Sequence, residues 1–260
     1  MLKGKNAIVT GSTSGIGMGI AYKLAEAGCN VLINGFGDAA AIEAELKDIT
    51  AKYGVRDAYS NADMSKPEQI AGMIQQCEQS FGSCDILVNN AGIQHTALIE
   101  EFPQEKWDAI IAINLSSAFH AMKAALPGMK KRNFGRIINI ASAHGLVGSA
   151  HKSAYVAAKH GVVGLTKVAA LETAGHDITV NAICPGWVLT PLVQKQIEDK
   201  AKAEGLSVPQ AEAKMLGEKQ PKPRFNTPET IGAMTAFLCG EHGSAMTGEI
   251  ISMDGGWTAQ

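Results

Sequence analysis

Seven short runs punctuate the chain: NAIVT (6–10), CNVLING (29–35), DAYSNAD (57–63), CDILVNN (84–90), RIINIAS (136–142), ITVNAIC (178–184) and EIISMDG (249–255). Longer segments of helical period lie between them, beginning near Gly15, spanning about Asp38 to Tyr53, filling KPEQIAGMIQQCEQSF, running as one long helix through Trp107 and Phe119, and carrying Tyr155. Strand followed by helix, about six times over, requires right-handed crossovers and hence a parallel sheet with helices on both faces. The strands read as almost continuously apolar, as burial on two sides demands. With 260 residues, 46% hydrophobic and 18% charged, the chain is large enough for one domain with an ample core. Residues 190–227 break the rhythm with a charged, helical, proline-closed excursion, the kind of insertion that forms a lid.

The balance of charge narrows the partners. A net charge of −2 offers no basic surface for nucleic acid or for a membrane. Five cysteines, an odd number without a CxxC pair, argue against a disulfide framework and against a zinc site, so reduced, buried thiols and no metal are expected. MLKGKNAIVT lacks the apolar core of a secretion signal, and no apolar run approaches the 18 or so residues of a membrane span. The expectation is a soluble, cytoplasmic protein.

The chemistry begins where the first strand ends. TGSTSGIG places glycines at 11, 15 and 17, where backbone N–H groups and the start of a helix can hold a pyrophosphate. The spacing G-x-x-x-G-x-G differs from the G-x-G-x-x-G fingerprint, and its position after the first strand is what favours dinucleotide binding. Asp63 closes the third strand within reach of an adenine, and Asn89-Asn90-Ala91-Gly92 closes the fourth.

SAYVAAKHG (153–161) puts Tyr155 and Lys159 four positions apart, on one face of a helix. An ammonium close to a phenol favours the phenolate and lowers its pKa, which makes the phenol usable as an acid or base. Alone, the pair reads more readily as a surface tyrosine beside a solvated lysine; the remaining motifs decide.

TGSTSGIG, NNAG (89–92), Asn114 in the long helix, Ser142, YVAAK (155–159) and PGWVLT (185–190) occur in the order and spacing of the short-chain dehydrogenase/reductase family, which the whole chain resembles. The resemblance implies a single Rossmann-type domain, three layers α/β/α around a doubly wound, parallel, seven-stranded sheet, with a nicotinamide cofactor. It implies that Tyr155 is the catalytic acid/base, that Lys159 lowers its pKa while holding the nicotinamide ribose, that Ser142 orients the substrate oxygen, and that Asn114 holds a water in a proton relay. By the same resemblance the cofactor contacts are Gly11, Thr13, Ser14, Gly15, Ile16, Gly17, Phe36, Asp63, Asn90, Ala91, Gly92, Tyr155, Lys159, Pro185, Gly186, Val188 and Thr190.

Polar and aromatic residues flank these motifs: Gln94 and His95, His144, Lys152, Trp187, Gln196 and Trp257. Each alone reads equally as packing or surface. Together, a lysine, a histidine and two glutamines converging on Tyr155 would recognise a small anion, with two tryptophans limiting the volume. Gln94, His144, Lys152, Trp187, Gln196 and Trp257, with NNAGIQHTALIE and ASAHGLV, resemble the bacterial D-3-hydroxybutyrate dehydrogenase branch of the family. That branch implies reversible oxidation of (R)-3-hydroxybutyrate to acetoacetate with NAD, in a homotetramer. Two alternatives stay open: a related reductase for another ketone such as a 3-oxoacyl thioester, and a dinucleotide-binding protein without catalysis. The second strand ends in Asn34-Gly35-Phe36-Gly37, without the acidic residue that commonly grips the adenosine ribose, and no cation stands there for a 2′-phosphate. NAD should therefore exceed NADP in kcat/KM, and comparable values for the two cofactors would contradict this reading.

Overall fold

Neighbouring residues along each central strand are both apolar, so neither face of the strand can be left to water. The computed structural model describes residues 2–260. Among them, seven strands, β1 (Asn6–Val9), β2 (Asn30–Asn34), β3 (Asp57–Ser60), β4 (Ile86–Asn89), β5 (Gly135–Ile140), β6 (Ile178–Pro185) and β7 (Ile250–Met253), form one sheet in the order β3-β2-β1-β4-β5-β6-β7. All six pairings are parallel. Alternate side chains point to opposite faces: Val9, Ile33, Val88 and Ile138 enter one core, while Ile8, Leu32, Leu87 and Ile137 enter the other.

Helices α1 (Gly15–Glu26) and α9 (Pro228–Cys239) cover the first face through Ile20, Leu24, Ile231 and Leu238. Helices α3 (Pro67–Phe81) and α5 (Ser117–Arg132) cover the second through Ile70, Met73, Ile74, Ala125 and Met129. Local signals set the ends. α2 (Ala39–Tyr53) starts where Asp38 accepts from the Ala41 N–H and stops at Gly54 in the left-handed region. α6 (Ser153–Thr173) is fastened to the sheet by a buried polar chain in which Asn89 Nδ2 donates to Asn139 Oδ1 at 2.8 Å and Asn139 Nδ2 to Thr166 Oγ1 at 2.9 Å. Buried polar groups tolerate little displacement once paired, so this chain sets the height of α6 against β5.

Two expectations are corrected. The long helix through Trp107 and Phe119 is α4 (Gln104–Ile111) and α5 joined by a π-helical turn, Ala112–Ser116. Running on without a break, the stretch Gln104–Arg132 reaches the length and apolarity of a membrane span, with a mean hydropathy of 1.4 in its most apolar window, where no such run was expected. Its Ala121, Ala125 and Met129 side is apolar because it lies on the sheet. The excursion at 190–227 is a helical hairpin, α7 (Pro191–Glu204) and α8 (Val208–Gly217), with its own small core of Ile197, Ala201, Ala211, Met215, Leu216 and Phe225.

The chain leaves the centre of the sheet through β2 and β3 and returns to the other side of β1 as β4, which opens a crevice at the carboxyl ends of β1 and β4. Asn34, the last residue of β2, welds that edge. It is fully buried; its Oδ1 accepts from the Gly11 N–H at 3.2 Å, and its Nδ2 donates to the carbonyls of Ser60 at 3.1 Å and Ala62 at 2.9 Å. Asn34→Ala leaves the Gly11 N–H and the Ala62 carbonyl without these partners, the Ser60 carbonyl keeping only the Gly35 N–H at 3.4 Å, and should lower unfolding stability by about 2 kcal/mol or more. A denaturation midpoint equal to that of the wild type would contradict this account.

Candidate active site

Tyr155 and Lys159 share a face of α6, as their spacing requires. Lys159 is buried, donates from Nζ to the Ile140 carbonyl at 2.7 Å, and lies 5.6 Å from the centre of the Tyr155 ring. Ser142, just past β5, accepts from the His144 N–H at 3.1 Å and starts a short turn that turns His144 back under the cavity. Burial pushes the Tyr155 phenol above its ordinary value, and the Ser142 hydroxyl beside it works in the opposite direction. Burial also pulls Lys159 down to about 8. In the protein alone the Lys159 ammonium is directed at the Ile140 carbonyl, and the net displacement of the phenol is upward, set first by burial.

Asn114 sits in the π-helical turn, an irregularity common at functional sites. Nδ2 donates to the Ile93 carbonyl and Oδ1 accepts from the Ile93 N–H, both at 2.9 Å, so the amide clamps the loop that follows β4.

Of the expected site residues, Ile16, Asn90, Gly92, Gln94, Ser142, His144, Lys152, Tyr155, Lys159, Pro185, Gly186, Trp187, Val188, Thr190, Gln196 and Trp257 line one cavity of about 770 Å³. Gly11, Thr13, Ser14, Gly15, Gly17, Ala91, Phe36 and Asp63 lie outside that lining, on or beside the turns that continue the same sheet edge from β1 across to β3. This arm fits a dinucleotide. Gly11 has φ +60°, and a Cβ there would stand 2.8 Å from the Ala91 backbone; one at Gly17 would strike the Gly11 carbonyl and Asn90. The loop is thereby kept bare, and Ser14 does not cap the first turn of α1, so its leading N–H groups stay available to an anion. Thr13 Oγ1 donates to the Phe36 carbonyl at 2.9 Å, while the Phe36 ring is 67% exposed. Asp63 accepts from the Ser65 N–H at 2.8 Å, which holds its carboxyl below the usual range.

At the other end His144 is buried, with its ring edge-on to Tyr155 at 6.1 Å and to Trp257 at 5.0 Å, and Trp257 lies 6.2 Å from Trp187. Burial, with Lys152 and Lys219 adding to it, pulls His144 down to about 4, so the ring is neutral at pH 7. Lys152, at the start of α6, is lowered by burial and by Lys219. A neutral imidazole, a half-buried ammonium and the amides of Gln94 and Gln196 make a small donor-rich pocket walled by indoles.

A family profile described as enoyl-(acyl carrier protein) reductase matches residues 11–258. The D-beta-hydroxybutyrate dehydrogenase of Cupriavidus necator is 60% identical over 260 residues, covering 100% of both chains. That of Rhizobium meliloti is 52% identical over 256 residues, covering 98% of this chain and 99% of its own. The chain belongs to the short-chain dehydrogenase/reductase family. Among solved structures, the L-sorbose reductase of Gluconobacter frateurii complexed with NADPH and L-sorbose superposes with a TM-score of 0.94 at 30% identity, covering 100% of this chain and 98% of that one.

Several residues that shape this short-chain dehydrogenase/reductase site were given no role by the motifs. Thr10 Oγ1 accepts from the N–H groups of Asn90 and Ala91 at 2.9 and 3.0 Å and so joins the glycine loop to NNAG. Leu192 and Val193 bring apolar surface to the cavity mouth, and Gln220 fixes Trp187 by accepting from its N–H at 3.3 Å. Asn34 had one signal, a polar residue closing an otherwise apolar strand. Because the fold depresses His144, the unfolded chain binds that proton more readily between pH 6.5 and about 4, and stability falls as pH drops through this window. His144→Gln should flatten that part of the stability curve, and an unchanged slope in the variant would rule out a neutral, buried His144.

Proposed function

We propose that the protein oxidises (R)-3-hydroxybutyrate to acetoacetate, reversibly, with NAD as the hydride acceptor. The observation that carries this is the pairing, in one cavity, of the Ser142, Tyr155 and Lys159 group with a pocket whose half-buried cation, Lys152, is flanked by neutral His144 and closed by Trp187 and Trp257. The names of the two hydroxybutyrate dehydrogenases support it. A carboxylate two carbons along from the reacting carbon would give Lys152 an anion to meet while the hydroxyl is held at Tyr155; a thioester, bulkier and uncharged, would leave Lys152 unmatched.

In this reading Tyr155 takes the alcohol proton, Ser142 holds the substrate oxygen against the phenol, and Lys159 fixes the ribose and the phenol from behind. Asn114 acts by holding Ile93 and with it the loop that carries Gln94. Gly11, Thr13, Ser14, Gly15, Ile16 and Gly17 would cradle the pyrophosphate, with Phe36 and Asp63 at the adenosine end and Asn90, Ala91, Gly92, Pro185, Gly186, Val188 and Thr190 around the nicotinamide. When bound there, NAD supplies the hydride-accepting carbon. The phenol, held neutral by burial, is a donor for acetoacetate reduction as it stands, and oxidation needs a higher pH.

The hairpin of α7 and α8 would close as a lid over about Thr190 to Thr227. Leu192, 68% exposed yet part of the cavity lining, is apolar surface that closure would cover, bringing Gln196 inward and excluding water. We place the enzyme in the cytoplasm as a homotetramer; exposed Phe119, Val168 and Leu171 on α5 and α6 offer apolar surface to another copy.

The purified protein should oxidise (R)-3-hydroxybutyrate with NAD faster than it oxidises the methyl ester or chains longer by two or more carbons. Tyr155→Phe should lose about 10²–10⁴-fold in kcat while NADH binding holds. Preference for the ester or a long-chain acyl compound would sink the assignment, and near-normal turnover by Tyr155→Phe would remove that residue from its role.

A further inference from the structure

Among the described residues, two that are not glycine hold φ in the left-handed region: Asn133, which ends α5 as such residues commonly do, and His151, at φ +65°. His151 closes the turn between β5 and α6 and stands immediately before Lys152. That conformation costs free energy for any residue with a Cβ, and it persists only where the surroundings hold it, most often at functional sites. The ring takes no part in the cavity: His151 is exposed and stands outside the lining to which Lys152 belongs. What His151 contributes to the site is its backbone.

That backbone joins two segments of the pocket. The His151 carbonyl accepts from the Ala97 N–H at 3.0 Å. Ala97 ends the stretch Gln94-His95-Thr96, all of which lines the cavity, and the other end of the stretch is Ile93, held by both polar atoms of Asn114 at 2.9 Å. Gln94 is thus suspended between a clamp at Ile93 and a clamp at Ala97. On the near side of the joint Lys152 follows at once; its carbonyl already accepts from the Val156 N–H at 2.9 Å as α6 begins, and its side chain makes no capping hydrogen bond to the helix. Rotating φ of His151 to the ordinary negative range would swing its carbonyl away from Ala97 and re-aim the Cα–Cβ bond of Lys152 in the same movement.

Resting on the hydroxybutyrate reading, we propose that His151 is a positioning residue: its left-handed backbone, locked by Ala97, sets Lys152 and Gln94 at the mutual placement that recognises the substrate's carboxylate. Histidine serves here for its tolerance of that conformation, in which it is enriched several-fold over most side chains, and not for its imidazole. Substitutions should therefore rank by what left-handed backbone costs them. Glycine adopts it freely and asparagine nearly so, alanine adopts it at a cost, and valine, branched at Cβ, at the greatest cost.

The test follows kcat and KM of His151→Gly, His151→Asn, His151→Ala and His151→Val for (R)-3-hydroxybutyrate and for its methyl ester, with NADH affinity and thermal unfolding alongside. KM for the acid should rise in the order glycine and asparagine, then alanine, then valine, reaching about tenfold in the valine variant, the effect of about 1.4 kcal/mol. NADH affinity should hold, and the ester, which brings Lys152 no charge to meet, should change much less than the acid. A KM near that of the wild type in the glycine and asparagine variants is a rescue that a task for the imidazole would not allow. Should the valine variant fail to fold, alanine against glycine carries the same comparison. An unmoved KM for the acid in the alanine and valine variants, glycine and asparagine variants as poor as valine, or an equal loss for acid and ester would each overturn the proposal. Wild-type protein unable to oxidise the acid would overturn the hydroxybutyrate reading and this inference together, whereas normal wild-type turnover with any of those three results would overturn this inference alone.

Discussion

Everything at the site depends on burying a parallel sheet on both sides. Because each crossover returns on the same hand, all seven strands end at one edge, and the turns after β1, β4, β5 and β6 meet there without any long-range steering. The residues at that edge come from distant parts of the sequence yet lie in spatial order: Asp63, Phe36, Gly11, Asn90, Ser142 and Pro185 follow the strand order from β3 to β6. The crevice at the carboxyl ends of β1 and β4 fits a dinucleotide, and the residues after β5 and β6 line the cavity beside it. Asn34 and Thr10, which tie neighbouring strand ends together, keep the trough from splaying.

The same burial sets the electrostatics. Tyr155, Lys159 and His144 are all displaced toward their neutral forms because water is excluded around them, not because of a single partner charge. A site in this state is poised to respond to charge that arrives with ligands. Lys152, half-buried in the lining of the same cavity, is the complement: an ammonium without an ion-pair partner among the described residues, lowered first by burial. Tyr155, Lys159 and Lys152 line one cavity, with the His144 ring packed between Tyr155 and Trp257.

The strands and most helices were legible because period and burial leave few alternatives; apolar runs such as CNVLING admit a two-faced strand and little else. The placement of the catalytic groups was legible for the same reason, since i and i+4 on a helix fix Tyr155 against Lys159. Two things were not. The direction of the Tyr155 shift depended on how completely the fold buries the phenol, which no motif states. The role of Asn114 as a clamp on Ile93 required the π-helical turn, which has no periodic signature.

The central claim, that one cavity reads a carboxylate at one end and reduces or oxidises a carbon at the other, is tested most directly by a crystal structure of the protein with NADH and acetoacetate. The account predicts the keto oxygen between the Ser142 and Tyr155 hydroxyls and the carboxylate at Lys152, beside His144, under a closed α7–α8 hairpin. A ligand bound the other way round, with its carboxylate at Ser142 and its ketone toward Lys152, or one lying outside the pocket of Trp187 and Trp257, would contradict it.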